Sequence, residues 1–186
     1  MEKKIVCFGD SNTWGYDPCS PLGEPYGRCW CRILAQQLNI ENMGMNGRTA
    51  AGFRERIPQC ALLILMLGTN DILQGRAPQH IVQDVEKLIA ERRNQYPDQN
   101  LLLLAPPEIR IPGTEFSTQT AVLADEYEDL ARRTGCLYGN PGRWDLSLAF
   151  DGVHLSQEGH RQFAECLLRL LHEKETQRLC ADRSCR

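Results

Sequence analysis

Two stretches carry apolar residues without interruption: Ala61-Leu62-Leu63-Ile64-Leu65-Met66-Leu67 and Leu101-Leu102-Leu103-Leu104-Ala105. A strand with one wet face alternates apolar and polar residues. These stretches do not alternate, so as strands they must be covered on both faces. The longer one falls far short of the ~20 residues of a membrane-spanning helix. A third stretch, Ile5-Val6-Cys7-Phe8, opens the chain. Between the stretches the apolar residues take up helical spacing. Ile81, Val82, Val85, Leu88 and Ile89 form one stripe over residues 80–93, and Val122, Leu123, Tyr127, Leu130 and Ala131 form another over 118–133. Residues 26–38 and 156–172 read as further helices, and 42–45 and 136–138 as short strands.

Strand–helix alternation with strands buried on both faces implies a parallel sheet between two helical layers. Right-handed crossovers leave few topologies, and a doubly wound, flavodoxin-like sheet of about five strands is the natural one. Ligands in such sheets sit outside the carboxyl ends of the strands. The most polar loops, residues 9–15, 46–49 and 68–71, follow the first three strands, so the fold gathers them at one edge.

The 186 residues suffice for one domain, read here as residues 1–173 with a polar tail over 174–186. The formal charge is −3, and no basic stripe marks a nucleic-acid surface. The first apolar run soon meets Gly9 and Asp10, too early for a secretory signal. The expectation is a soluble cytoplasmic domain without membrane insertion. The nine cysteines form no C-x-x-C pair, and Cys29-Trp30-Cys31 is too tight for the usual zinc spacing. Most of them are expected as small core hydrophobes.

Gly9-Asp10-Ser11-Asn12-Thr13-Trp14-Gly15 presents a hydroxyl at the carboxyl end of the first strand. A hydroxyl is a poor nucleophile until a base takes its proton. Far downstream, Asp151-Gly152-Val153-His154 can turn two side chains toward one point. Ser11 is therefore the candidate nucleophile, His154 the base and Asp151 the group that orients it. Acyl transfer also needs donors aimed at a developing oxyanion. Gly47 offers a backbone N–H in Asn46-Gly47-Arg48-Thr49, and Asn70 a side-chain amide in Gly68-Thr69-Asn70-Asp71. Each of these residues alone reads as an ordinary cap or turn former. Their meeting at one sheet edge favours the chemistry. The serine segment is neither the G-x-S-x-G elbow nor a phosphate-binding Gly-Lys-Ser/Thr loop. Arg48 is read as a solvated side chain, with an anionic substrate as its alternative partner. His160 is read as structural or exposed, and Asp10 as a brace for the turn.

The four segments, in this order, resemble the blocks of the SGNH, or GDSL-type, hydrolase family, and the likeness runs from about residue 4 to 172. The resemblance implies a three-layer α/β/α sandwich, a serine esterase mechanism acting on a small-molecule ester, and no metal or cofactor. It implies that the Ser11 N–H joins Gly47 and Asn70 as an oxyanion donor. Residues 7–16 look most like the arylesterase and acyltransferase branch, in which the Trp14 counterpart lies beside the acyl pocket. Asp10 and Asn12 are assigned to the same pocket. Relatives in that branch carry a longer insertion between the glycine and asparagine blocks. Here only residues 50–68 intervene, which removes the insertion as a basis for lid or oligomer contacts, while a homo-oligomer stays among the expected partners beside the small-molecule ester. The expected activity is hydrolysis of short-chain acyl or aryl esters through an acyl-enzyme. The alternatives are acyl transfer to an alcohol at the same site, and a flavodoxin-like module binding phosphate or flavin.

Overall fold

A computed structural model describes residues 4–51 and 56–184, with side chains given up to residue 174. Five parallel strands form the sheet: β1 (Ile5–Gly9), β2 (Ile40–Gly44), β3 (Leu62–Met66), β4 (Asn100–Leu104) and β5 (Leu137–Gly139). Their spatial order is β2-β1-β3-β4-β5, the doubly wound order expected from the alternation.

The continuous apolar strands divide their residues between two cores. Val6, Phe8, Leu63, Leu65, Leu101 and Leu103 face one side, with Ile81, Val85 and Ile89 of α4 (Pro78–Gln95) and Leu123, Tyr127 and Leu130 of α5 (Phe116–Thr134). Ile5, Cys7, Ile64, Met66, Leu102 and Leu104 face the other. There they meet Trp30, Cys31 and Leu34 of α2 (Trp30–Leu34) and Phe163 and Leu167 of α6 (Gln157–Ser184). Successive side chains of a strand point to opposite faces, so a run that is apolar at every position satisfies both layers. Each buried leucine or isoleucine contributes roughly 1.5–3 kcal/mol by leaving water.

Helix limits depart from the periodicity in two places. The helix expected over 26–38 shrinks to Trp30–Leu34. The Tyr26 N–H is spent on Gly15 O at 2.8 Å, Cys29 is extended, and beyond Leu34 the chain tightens into Gln36 N–H to Ile33 O and Gln37 N–H to Leu34 O turns. The last helix continues past residue 172 to Ser184, through the segment expected as a tail. No helix among the described residues is long and apolar enough to cross a membrane.

Pairing register brings the polar loops together. Gly9, the last residue of β1, is aligned with Gly44 at the end of β2 and with Met66 at the end of β3. The segments carrying Ser11, Gly47 and Asn70 therefore leave three adjacent strands at one level. A glycine at 44 is needed for close approach, since a Cβ there would stand 2.1 Å from Trp14 N.

Candidate active site

Ser11 begins α1 (Ser11–Trp14), a single helical turn with no periodicity for a sequence to reveal. Asp10 caps it: Oδ1 accepts the Asn12 N–H at 2.9 Å, and the Asp10 carbonyl accepts the N–H groups of Thr13 and Trp14. Asn42 of β2 holds the other end by donating to Thr13 O at 2.9 Å. The Ser11 hydroxyl lies 3.0 Å from His154 Nε2, and His154 Nδ1 lies 2.6 Å from Asp151 Oδ2. The second Asp151 oxygen accepts the N–H groups of Val153 and His154, both at 3.0 Å. Burial pulls the Asp151 carboxyl up. Its hydrogen bonds from the His154 ring and the two backbone N–H groups, with the charge of His154, outweigh burial and hold it below its ordinary value. An ionised Asp151 accepts from Nδ1–H, which leaves Nε2 free to accept from Ser11.

Asn12 spans the gap between Ser11 and His154. Its Nδ2 donates to Val153 O at 3.2 Å, and its Oδ1 accepts the Leu155 N–H at 2.9 Å. The amide thus grips the backbone on both sides of His154. The Asn12 carbonyl in turn accepts Trp30 Nε1–H at 2.9 Å. Asp10 and Asn12, assigned to the pocket from the resemblance, are 0% and 1% exposed, and their side chains hydrogen-bond to backbone groups of the protein. Full burial also raises the Asp10 carboxyl, opposed by Thr69, the Asn12 N–H and His154 and reinforced by Asp71. Trp14 is half-buried. Its ring lies 6.5 Å from that of Tyr16, which packs 4.7 Å from the His154 ring. Tyr16 escaped the sequence reading. Its one signal is an aromatic five residues after Ser11.

On the other side of Ser11, Gly47 adopts φ +75° with open space where a side chain would stand, so left-handed backbone rather than crowding calls for glycine. Among the described residues no acceptor takes the N–H of Ser11 or Gly47. Asn70 opens the short α3 (Thr69–Leu73) and donates from Nδ2 to Arg48 O at 2.9 Å, which leaves the second amide hydrogen free. Asp71, fully buried, accepts the Ala50 N–H at 2.9 Å and is paired with Arg76, which also reaches Asp84 at 2.6 Å. Arg48 is neither solvated nor presented to a substrate. It is 8% exposed, with Nη1 donating to Gly9 O at 2.7 Å and to Met43 O, and its guanidinium lies 3.9 Å over the Phe8 ring. The ends of β1 and β2 supply those carbonyls, and a guanidinium is donors only, so the pairing is complementary.

Behind Ser11 and His154, His160 is fully buried and edge-on to Tyr26 at 5.4 Å, and its Nδ1 is 3.5 Å from the Trp30 N–H. Its Nε2 is buried without a hydrogen-bond partner. Burial, with the charge of His154 adding and Asp17 opposing, lowers its pKa to about 4.

The comparisons with known proteins agree with this architecture. An aryl esterase of M. smegmatis superposes with a TM-score of 0.78 at 24% identity, over 92% of this chain and 99% of that one. A carbohydrate acetylesterase from Sinorhizobium meliloti gives 0.77 at 23% identity over the same shares. At such identities the likeness establishes the fold. A candidate arylesterase from Agrobacterium tumefaciens str. C58 gives 0.76 at 28% identity, again over 92% and 99%. No curated protein sequence matches the chain. The family model for GDSL-like lipases and acylhydrolases matches residues 7–162, which include the serine, glycine, asparagine and Asp-x-x-His segments. The chain belongs to the GDSL-like lipase/acylhydrolase family and is a hydrolase of the esterase kind.

Proposed function

We propose that the chain hydrolyses carboxylic esters of short acyl or aryl groups, with Ser11 as nucleophile, His154 as general base and acid, and Asp151 orienting the imidazole. The unbroken hydrogen-bonded series Ser11–His154–Asp151 carries this reading, at 3.0 and 2.6 Å. His154 Nε2 takes the hydroxyl proton as Ser11 Oγ bonds to the ester carbonyl carbon. The carbonyl oxygen becomes an oxyanion, which receives the N–H groups of Ser11 and Gly47 and the free Asn70 amide hydrogen. The carbon–oxygen bond to the alcohol breaks, and the alcohol leaves with the proton from His154. Water then repeats the sequence on the acyl-enzyme and restores Ser11. The Tyr16 ring beside His154, with Trp14 next to it, favours a flat or small group at the reacting carbon. Added alcohol in place of water measures how far the acyl-enzyme also transfers.

The test is Ser11→Ala on p-nitrophenyl acetate. Turnover is expected to fall by about 10⁴-fold or more, with the far-ultraviolet spectrum unchanged. A folded variant that keeps its parent rate removes Ser11 from the reaction.

A further inference from the structure

The three groups proposed to receive the oxyanion stand on three separate loops. Such a site works only if its donors are fixed before charge develops, because misplacement by about 1 Å can cost a factor of ~10². Arg48 is the residue that touches all three loops. Its guanidinium binds Gly9 O at 2.7 Å, two residues before Ser11. It binds Met43 O on β2, and its own N–H donates to Met45 O at 3.2 Å, which shapes the turn holding Gly47. Its carbonyl accepts Asn70 Nδ2 at 2.9 Å and so fixes the plane of that amide. The Phe8 ring, 3.9 Å beneath, restricts the tilt of the guanidinium.

Resting on the reading of Ser11, Gly47 and Asn70 given above, we infer that Arg48 is a positioning residue that holds the oxyanion site in register: its planar guanidinium ties the ends of β1 and β2 together, and that grip sets the place of the Arg48 carbonyl on which the Asn70 amide rests. At 8% exposure, with its fork turned onto backbone carbonyls, it does not meet substrate. Lysine would keep the charge, but it is a point donor on a flexible stem with no flat face for Phe8. The role is therefore one of geometry, and charge alone does not fill it.

Donors that act as charge develops govern kcat, whereas uniform substrate binding governs KM. Arg48→Lys is expected to lower kcat per titrated active site by about 10- to 10²-fold on a p-nitrophenyl ester, with KM changed by less than about threefold. Because Arg48 acts partly through Asn70, its loss combined with Asn70→Ala is expected to be smaller than the product of the two single losses. Arg48→Met adds removal of the charge, and if that variant does not fold, Arg48→Lys decides alone. A folded Arg48→Lys enzyme with the parent kcat overturns the inference. So do losses that multiply fully with Asn70→Ala, which would mark a merely structural residue. Ser11→Ala keeps the two questions apart. If it retains turnover, the site reading itself fails; if it is inactive while Arg48→Lys is not impaired, only the role of Arg48 fails.

Discussion

The segment that carries His154 is tied to α1 by a neutral amide, whereas the turn that carries Gly47 is tied to its neighbours by charged side chains. Asp151 takes the N–H groups of Val153 and His154 within the segment, and the backbone then offers α1 one carbonyl, Val153 O, and one N–H, that of Leu155. An amide both donates and accepts, so Asn12 satisfies the pair with a single side chain. Around Gly47 the backbone groups met by charged side chains are sorted by type. Carbonyls of Gly9 and Met43 meet the donor-only Arg48, and the Ala50 N–H meets the acceptor-only Asp71. Each half uses the side chain whose hydrogen-bonding capacity matches the backbone it grips. These anchors are buried, so an unmatched replacement costs roughly 1–3 kcal/mol for each group left unpaired.

The largest expected effect tests the His154 half at its chemical centre. Asp151→Asn presents an amide to Nδ1 and favours the wrong tautomer. It should lower kcat by about 10⁴-fold with little change in KM. A loss below tenfold would mean that the backbone alone orients the imidazole. Next comes the amide clamp. Asn12→Leu leaves Val153 O and the Leu155 N–H unpaired, for an expected loss of about 2–4 kcal/mol in urea unfolding and about a tenfold fall in kcat/KM. If both measures stay at parent values, the contrast between an amide-held and a charge-held half collapses.

The smallest effect on activity comes from His160, behind the amide-held half. Its folded pKa of about 4 lies below its ordinary 6.5, so between these values the unfolded chain binds a proton that the native protein does not. The stabilising difference is complete above the unfolded value and is lost as pH falls through the folded one, by up to about 3 kcal/mol. His160→Gln is expected to flatten that part of the stability curve between about pH 7 and pH 4, with kcat at neutral pH within about threefold of the parent. Equal slopes in urea titrations of both proteins would show that His160 is not buried neutral.

Much of the sheet was legible because its strands are apolar at every position and its helices keep one stripe each. The end of α2 was not, because hydrogen bonds from Tyr26 to Gly15 O and within the turns after Leu34 compete with helical spacing. Within the proposed site, Ser11, Gly47, Asn70, Asp151 and His154 could be named because each stands in a short sequence pattern, the first three just after strands. The grips made by Asn12 and Arg48 were not legible for a common reason. Their partners are backbone carbonyls and N–H groups of remote segments, up to 143 positions away for Asn12, and backbone atoms leave no mark on a sequence. Tyr16 was missed because its contact with His154 depends on how the chain folds back after α1.

The packing of β1 against α2 also makes an internal clock. Cys7, Cys29 and Cys31 lie buried between them, and burial, with the neighbouring Cys7 and Cys29 thiols, lifts the Cys31 thiol far above its ordinary value. Cys19 stands exposed. An alkylating reagent meets Cys19 at its intrinsic rate, but it reaches Cys31 only when α2 leaves the sheet. The ratio of those two labelling rates reads the opening free energy of the layer behind Ser11, in the native protein and without denaturant.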